Sequence, residues 1–243
     1  MEAVRMIKAI VFDVDDTLYD QAHPFEQALL SVFEPNDLRL PNLREIFNQF
    51  HSQATIEAIN TKKISTEKIL TAKLNATLES LALPTFSPAE LAKFWKSYSS
   101  QLHEIHLFPE FVHLFDQLER FFKLGIITNG SVERQLSKIT QLKMFNWIDR
   151  ENVLISEECQ MAKPDPLIFT TMNRKLEVSP SEIAYVGNRY DLDVRGAKKA
   201  GWHAFWFNHR DLEESNGDIV ADQTVSNSEE LIELLEALVT IAE

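Results

Sequence analysis

The chain of 243 residues has one cysteine, Cys159, so it cannot form an intrachain disulfide and has no cysteine cluster to hold a metal. It is also poor in basic residues, with 24 Lys and Arg against 37 Asp and Glu and a formal net charge of -13. This balance disfavours nonspecific binding to a nucleic-acid polymer, although a metal, a lysine and backbone amides can still attract a small anion. We expect a protein of a reducing cytosol that binds no nucleic-acid polymer.

The start of the chain lacks a long apolar run. Its apolar stretch, within residues 7–12, is too short for the apolar region of a signal peptide or for a membrane span. We therefore expect a cytoplasmic protein that does not associate with a membrane. The composition, 44% hydrophobic and 25% charged, is that of an ordinary folded protein.

Glycine is scarce, and none of the six glycines lies between Pro24 and Gln101. That segment is rich in Ala, Leu, Glu, Lys and Gln, with apolar residues three and four apart, which predicts helices. A serine at position 87, followed by proline and then glutamate at position 90, is typical of a helix start. We expect about four helices in an all-helical domain of residues 20–105, with breaks at Pro35, Pro41, Ser65 and Pro84.

The rest of the chain alternates short apolar strands with helices. The predicted strands are Ile7–Phe12, Leu124–Thr128, Val153–Ser156, Ile183–Val186 and Ala204–Phe207, and the predicted helices are Phe111–Phe122, Val132–Leu142, Pro166–Leu176, Asp193–Ala200 and Ser228–Ala242. Such alternation implies a parallel sheet with helices on both faces. The sequence therefore predicts an α/β fold, with a Rossmann-like parallel-sheet core of residues 1–19 and 106–243.

Four separated segments, each at or after the end of a strand, carry polar groups suited to catalysis. In an open α/β sheet such ends converge on one crevice. The first segment, residues 12–18, places Asp13 and Asp15 one residue apart, followed by the hydroxyl of Thr17. One carboxylate can attack while the other handles the proton, and such acids also suit a hard cation. We interpret Asp16 as a surface or turn residue.

The second and third segments offer groups for a phosphate. Thr128 and the backbone amides after it precede a predicted helix, and a hydroxyl with a helix N-terminus can hold a phosphate. Lys163 stands just before a helix start that Pro166 fixes, and can bring a point charge to a phosphoryl oxygen. Taken alone, Thr128 fits a helix cap equally well, and a lone lysine is most often solvated.

The fourth segment, residues 186–197, follows the strand that ends near Gly187. A glycine lets the backbone turn sharply there. Beyond it, Asn188, Asp191 and Asp193 form a polar cluster that can hold a cation against the first segment. Asn188 also fits a turn, and Asp193 also fits a helix N-cap.

In order and character these segments resemble the motifs of the haloacid dehalogenase-like superfamily, phosphatase branch, over about residues 6–208. The resemblance implies a nucleophile at Asp13 that forms an aspartyl-phosphate, and a general acid/base at Asp15. It implies that Thr128 and the backbone around Asn129 bind the phosphate of the substrate. It also implies that Lys163 offsets charge on the nucleophile and the phosphate, and that the helical insert is the cap domain that screens substrates.

The resemblance further implies a bound Mg2+. Its ligands would be Asp13, the backbone carbonyl of Asp15, and the fourth segment at Asn188 and Asp193. Asn188 departs from the family pattern, which has an acid at that position. An amide oxygen can still bind magnesium, but the change removes one negative charge, and a compensating role of Asp191 stays open.

Three functions are compatible with this pattern. The leading hypothesis is an enzyme, a Mg2+-dependent phosphatase acting on a small phosphorylated metabolite such as a nucleotide or a sugar phosphate. The second is a metal-independent haloacid dehalogenase, against which Asp15 argues, because the resemblance implies a non-acidic residue there. The third is a binding protein that has lost turnover through the change at Asn188. Whether the protein is a monomer or a homodimer is left open.

Overall fold

A computed structural model describes residues 7–33, 42–51, 66–212 and 219–242. The chain divides into two compact units, one formed by Met1–Asp20 with Ile105–Glu243 and the other by Gln21–Glu104. Within the described residues, every helix is too short or too polar to cross a membrane.

The second unit is helical in its described part, with α1 (Ala22–Val32), α2 (Leu43–Phe50), α3 (Thr66–Ser80) and α4 (Pro88–Gln101). Its core is aromatic: the buried ring of Phe25 contacts the rings of Phe47, Phe50 and Phe94. Aromatic side chains bury a large apolar area each, so a small unit without glycine or disulfides can still form a core.

The predicted start of α4 is confirmed. The side chain of Ser87 accepts a hydrogen bond from the N–H of Glu90, and the Glu90 carboxylate accepts one from the N–H of Ser87. Pro84 lies in the non-helical stretch between α3 and α4. The predicted breaks at Pro35, Pro41 and Ser65 lie outside the described residues.

The first unit contains a six-stranded sheet in the order β3-β2-β1-β4-β5-β6. The strands are β1 (Ala9–Phe12), β2 (Lys123–Thr128), β3 (Val153–Ile155), β4 (Ile183–Gly187), β5 (His203–Phe207) and β6 (Gln223–Val225). All neighbours pair in parallel. Phe12, the last residue of β1, pairs with Ile126 on one side and Val186 on the other. The carboxyl ends of β1, β2 and β4 therefore lie side by side, as expected for an α/β fold.

Helices cover both faces of this sheet. They are α5 (Phe111–Phe121), α6 (Val132–Gln141), the single turn α7 (Ser156–Cys159), α8 (Pro166–Leu176), α9 (Arg195–Lys199) and α10 (Ser228–Ala242). Successive side chains of a strand point to opposite faces. In β1, Val11 belongs to the apolar cluster that includes Phe169 of α8, whereas the ring of Phe12 lies 4.9 Å from that of Phe115 in α5. The predicted Rossmann-like parallel-sheet fold is confirmed.

Two elements differ from the sequence prediction. The helix predicted over Asp193–Ala200 begins earlier, as a wide π-helical turn over Tyr190–Val194 that continues into α9. The carboxylate of Asp193 accepts a hydrogen bond from the N–H of Arg189, so Asp193 stabilises this turn from within and is not its N-cap. The short edge strand β6 was not predicted, because two of its three residues are exposed and it has no apolar run.

The interpretation of Asp16 as a surface residue is wrong, although it does occupy a turn, with a φ of 60°. Its buried carboxylate accepts hydrogen bonds from Nε of Arg210 at 2.9 Å and from Nη2 at 2.6 Å. Burial alone would raise the pKa of Asp16, but His209 and Arg210 outweigh it and hold that pKa well below its usual range. The pair joins the turn after β1 to the loop after β5.

Removal of Arg210 should destabilise the protein strongly, since the buried carboxylate of Asp16 loses both hydrogen bonds from the guanidinium, while His209 stays beside it. We expect Arg210→Met to lower the free energy of unfolding by about 3–5 kcal/mol, measured by urea denaturation at neutral pH. Arg150→Met is the matched control, because its ion pair with Glu158 leaves 42% and 45% of the two side chains exposed and should contribute about 0–1 kcal/mol. Equal losses in the two variants would contradict the structural role of Arg210.

Candidate active site

A buried ion-pair cluster joins three of the four polar segments. Asp13, directly after β1, and Lys163 are each 5% exposed, and Nζ of Lys163 lies 2.6 Å from Oδ1 of Asp13. The same ammonium donates to Oδ1 of Asp193 at 2.7 Å and to the hydroxyl of Tyr185 at 2.9 Å. Thr17 donates to the other oxygen of Asp13 at 3.3 Å. The fold thus brings Asp13, Lys163 and Asp193 together.

This cluster has a surplus of negative charge, since two carboxylates share one ammonium. Burial, the largest effect, raises the pKa of Asp13 to about 7 even though Lys163 acts to lower it. Burial alone would lower the pKa of Lys163, but Asp13 and Asp193 outweigh it and raise that pKa above its usual value. Lys163 therefore stays protonated, and the carboxylates around it favour an added cation.

The end of β2 fixes the segment that carries Lys163. The side-chain amide of Asn129 donates to the carbonyl of Lys163 and accepts from its N–H, both at 2.9 Å. The side chain of Asn129 is thus committed to positioning the lysine, and any contact of Asn129 with substrate falls to its backbone. The hydroxyl of the buried Thr128 donates to Oε1 of Gln135 at 3.1 Å. Thr128 does not cap α6, whose N-cap residue is Ser131.

Asp15 lies beside the cluster in a different environment. Its carboxylate accepts hydrogen bonds from the hydroxyl of Tyr19 and Nζ of Lys138, both at 2.6 Å, and from Nε2 of Gln135 at 2.9 Å. Burial alone would raise the pKa of Asp15, but the charge of Lys138 and these three hydrogen bonds hold it below its usual value.

Sequence reasoning missed Gln135 and Lys138. Polar residues on an amphipathic helix are usually exposed, so the residue types alone do not indicate burial. A usable signal was their spacing of three residues, which places both on one face of α6. Only the packing of that face shows that they point at Asp15.

The end of β4 brings the fourth segment to the cluster. A Cβ on Gly187 would lie 2.5 Å from Cγ of Asp193, so only glycine at this position lets Asp193 reach Lys163. Asn188, the next residue, is buried and its Nδ2 donates to Oδ2 of Asp16 at 3.4 Å. Its Oδ1 is also buried but accepts no hydrogen bond from the described residues.

The side chain of Asn188 is suited to be one ligand of a magnesium ion. Within the described ranges, no three His, Cys, Asp or Glu side chains form a group that could hold a metal ion, so a site here needs mixed oxygen donors. A buried oxygen without a partner costs free energy, and a hard cation that binds carboxylate, amide and backbone oxygens would recover that cost. Oδ1 of Asn188, which has no partner among the described residues, meets this requirement, and it follows the strand that pairs with the one leading to Asp13.

The two other acids of the fourth segment have protein partners. One oxygen of Asp193 is bound to Lys163, and the other accepts from the N–H of Arg189 at 2.8 Å. Asp191, whose compensating role was left open, forms an ion pair of 3.8 Å with Arg195 one helical turn later. Each oxygen of Asp193 thus has one protein partner, and its role as a metal ligand stays a prediction.

Known proteins match almost the whole chain. The sequence model of the haloacid dehalogenase-like hydrolase family matches residues 10–207, which include all four polar segments. The chain is 29% identical to the glyceraldehyde 3-phosphate phosphatase of Methanopyrus kandleri, over 96% of this chain and 99% of that protein. It is 24% identical to the human N-acylneuraminate-9-phosphatase, over 96% and 95%. The magnesium-bound HAD-hydrolase YfnB of Bacillus subtilis shares the fold, with a TM-score of 0.71 at 22% identity over 94% of this chain and 98% of that one.

The raised pKa of Asp13 predicts a pH-dependent stability of the metal-free protein. In the unfolded chain this carboxyl titrates near 3.8, whereas in the folded protein it titrates at about 7. Between these values the folded state binds the extra proton, so this group makes the protein less stable as the pH rises. Asp13→Asn removes that effect. In the presence of a chelator, the melting temperature of Asp13→Asn relative to wild type should therefore increase from about pH 5 to about pH 8.

Differential scanning fluorimetry of both proteins across that range measures the difference directly. Asp149→Asn is the control, because Asp149 is exposed and its replacement removes a carboxylate outside the buried cluster. A constant difference for Asp13→Asn would show that the pKa of Asp13 is not raised.

Proposed function

The chain belongs to the haloacid dehalogenase-like hydrolases, and on that premise we propose that it is a magnesium-dependent phosphatase acting on a small phosphorylated metabolite. The main support is the buried pair of Asp13 and Lys163, which are 2.6 Å apart. Phosphoryl transfer depends chiefly on positioning and on neutralising charge. The pair combines a nucleophilic carboxylate with a cation held in place beside it. The phosphatase names of the curated relatives favour the same reaction class.

In the first half of the proposed reaction, a carboxylate oxygen of Asp13 attacks phosphorus while the bond to the leaving oxygen breaks. The phosphoryl group is then carried by Asp13 as an aspartyl-phosphate. Asp15 lies two residues further along the same turn and gives a proton to the leaving oxygen. Lys163 stays protonated and offsets negative charge on the nucleophile and the phosphoryl oxygens.

In the second half, water attacks the phosphorus of the aspartyl-phosphate. Asp15, whose pKa is held below its usual value in the free protein, takes up the proton for the first step when the anionic substrate is bound; ionised again after that step, it takes the proton of the attacking water. Cleavage of the bond to Asp13 releases inorganic phosphate and restores the free carboxylate. The backbone after Thr128, at the end of β2, holds the phosphate oxygens in both steps, while Asn129 keeps Lys163 in position through its side chain.

Mg2+ is proposed to bind the carboxylate of Asp13, the backbone carbonyl of Asp15 and Oδ1 of Asn188, with Asp193 adding negative charge through Lys163. When bound, it supplies positive charge that offsets the negative charge on the phosphate oxygens. The observation of this structure that favours such a site is the buried Oδ1 of Asn188, which accepts no hydrogen bond within the described part of the chain.

The substrate is proposed to be a sugar phosphate or a related small phosphate ester, since the curated relatives above are named for such compounds. Selection of the substrate by the helical segment of residues 20–105, a cytoplasmic location and the choice between monomer and homodimer stay predictions of the sequence.

Release of inorganic phosphate tests the proposed function. The panel is glyceraldehyde 3-phosphate, N-acylneuraminate 9-phosphate, glucose 6-phosphate, AMP and p-nitrophenyl phosphate, each with magnesium or with a chelator. We expect magnesium-dependent turnover that Asp13→Asn lowers by at least about a thousandfold, because the nucleophile is lost. Asp149→Asn, an exposed acid-to-amide change, should leave turnover unaltered.

Other outcomes point to the other two functions. Chloride release from 2-chloropropionate without magnesium, abolished in Asp13→Asn, would identify a dehalogenase. Stabilisation by a phosphate ester on heating, with no product after long incubation, would identify a binding protein. Either result, in place of phosphate release, would overturn the phosphatase proposal.

The missing acid at position 188 should weaken metal binding. A carboxylate there would add one negative charge to the proposed metal site, so we expect Asn188→Asp to bind Mg2+ about tenfold more tightly or better. The same variant should be less stable without metal, because it loses the hydrogen bond to Asp16 and places two carboxylates together. Titrating Mg2+ against the melting temperature, without substrate, measures both effects.

Asn146→Asp is the control for this titration, since Asn146 is exposed and its replacement adds the same charge at a distance from the site. If Asn188→Asp and Asn146→Asp respond equally to Mg2+, then Asn188 is not a ligand.

A further inference from the structure

Two buried polar side chains of α6, Gln135 and Lys138, have no role in the reaction steps proposed above. Gln135 is 3% exposed and Lys138 is 6% exposed, whereas the polar neighbours Glu133, Arg134 and Ser137 are exposed. Burying an ammonium or an amide is costly unless it is hydrogen-bonded. Both residues meet that requirement at the same carboxylate: Lys138 donates to Oδ1 of Asp15, and Gln135 donates to Oδ2.

These contacts make the two oxygens of Asp15 unequal. Oδ1 accepts two short hydrogen bonds, from the hydroxyl of Tyr19 and from Nζ of Lys138, both 2.6 Å. Oδ2 accepts one hydrogen bond from the described residues, from Nε2 of Gln135 at 2.9 Å. A carboxylate oxygen has two lone pairs, so Oδ2 keeps the capacity to hold a proton, while Oδ1 is occupied.

Gln135 also links Asp15 to the turn after β2. Its Oε1 accepts from the hydroxyl of Thr128 at 3.1 Å, and its Nε2 lies 3.3 Å from the carbonyl oxygen of Asn129. The contact is close, since a Cβ on Gly130 would lie 2.7 Å from Nε2 of Gln135. The hydroxyl of Thr128 therefore orients the amide so that its NH2 group faces Asp15. One side chain thus sets the spacing between the proposed acid/base and the proposed phosphate-binding turn.

From this arrangement we infer that Gln135 and Lys138 are positioning residues for Asp15, and that Oδ2 of Asp15 is the oxygen that exchanges the proton. Lys138 and Tyr19 hold Oδ1 of Asp15 by hydrogen bonds. Gln135 fixes the position of Oδ2 relative to the turn after β2. The inference rests on the proposed phosphatase function. In the first half-reaction the proton moves from Oδ2 to the leaving oxygen as its bond to phosphorus breaks. In the second, it moves from the attacking water to Oδ2.

Substrates whose leaving groups differ in basicity can distinguish whether Gln135 and Lys138 position Asp15 or only support the fold. The alkoxide of a sugar phosphate needs a proton to depart, whereas p-nitrophenolate departs without one. A displaced Asp15 should therefore slow the first half-reaction with a sugar phosphate but not with p-nitrophenyl phosphate. With the latter, hydrolysis of the aspartyl-phosphate would become the slow step, and p-nitrophenol would appear as an initial burst.

The experiment compares Lys138→Met and Gln135→Leu with wild type on glyceraldehyde 3-phosphate and p-nitrophenyl phosphate, with magnesium. We expect kcat for glyceraldehyde 3-phosphate to fall by about 10- to 100-fold and KM to stay within about threefold. With p-nitrophenyl phosphate, rapid mixing should show a burst of about one equivalent per enzyme, followed by slow turnover. Lys138→Arg, which keeps the charge, should restore most of the activity.

Matched controls exist for both substitutions. Lys198→Met removes a lysine whose ion pair, with Asp222 at 2.8 Å, does not involve Asp15. Gln141→Leu changes a glutamine of the same helix whose contact is with the carbonyl of Ile105. Neither control should alter kcat or produce a burst.

Two results would overturn the inference while the proposed function stands. One is unchanged kinetics in Lys138→Met and Gln135→Leu. The other is an equal loss on both substrates without a burst, which would mean that these residues support only the fold or phosphate binding. If wild type releases no phosphate, or if Asp13→Asn is as active as wild type, the phosphatase proposal itself fails, and the inference fails with it.

Discussion

The buried ion pair between Asp13 and Lys163 requires partners from several parts of the first unit. Charges buried this deeply must be paired and hydrogen-bonded, and several elements of the fold satisfy that need. Asn129 holds the backbone of Lys163, and Tyr185 accepts from its ammonium while donating to the carbonyl of Ile127. The third partner, Asp193, reaches the lysine because the glycine that ends β4 leaves room for it. The contacts that compensate the buried charges are thus the same contacts that position the residues of the proposed catalytic site.

A second ion pair, between Asp16 and Arg210, positions Asn188. Arg210 neutralises the buried carboxylate of Asp16, and Asp16 in turn accepts from the amide of Asn188. That contact uses the nitrogen of Asn188, and the described residues offer its oxygen no partner. The amide that stands where related proteins are expected to have an acid is therefore oriented by a neighbour. These contacts leave the site with an amide oxygen at position 188, which can bind a metal but lacks the negative charge of a carboxylate.

The two acids of the first segment differ because their neighbours differ. Asp13 shares one lysine with a second carboxylate, and burial raises its pKa, whereas Asp15 has Lys138 and two further donors, which lower its pKa. Residues two apart in sequence thus have opposite electrostatic environments. The partners that make the difference are mostly distant in sequence: Lys163 and Asp193 act on Asp13, and Lys138 and Gln135 of α6 act on Asp15.

The sequence alone determined the fold class and the positions of most strands, because these depend on local patterns: β-branched apolar runs, glycines at strand ends and helical apolar spacing. It also singled out Asp13, Lys163 and Asp193, since polar residues after parallel strands share one edge of the sheet. Only the tertiary structure decided which side chains are buried and paired. Asp16 is held by a partner 194 residues away, Asn129 is committed to a lysine, and Gln135 and Lys138 turn inward from a helix on which Glu133, Arg134, Ser137 and Thr140 are exposed. Partnerships between distant segments depend on how the elements pack, and no local pattern encodes them.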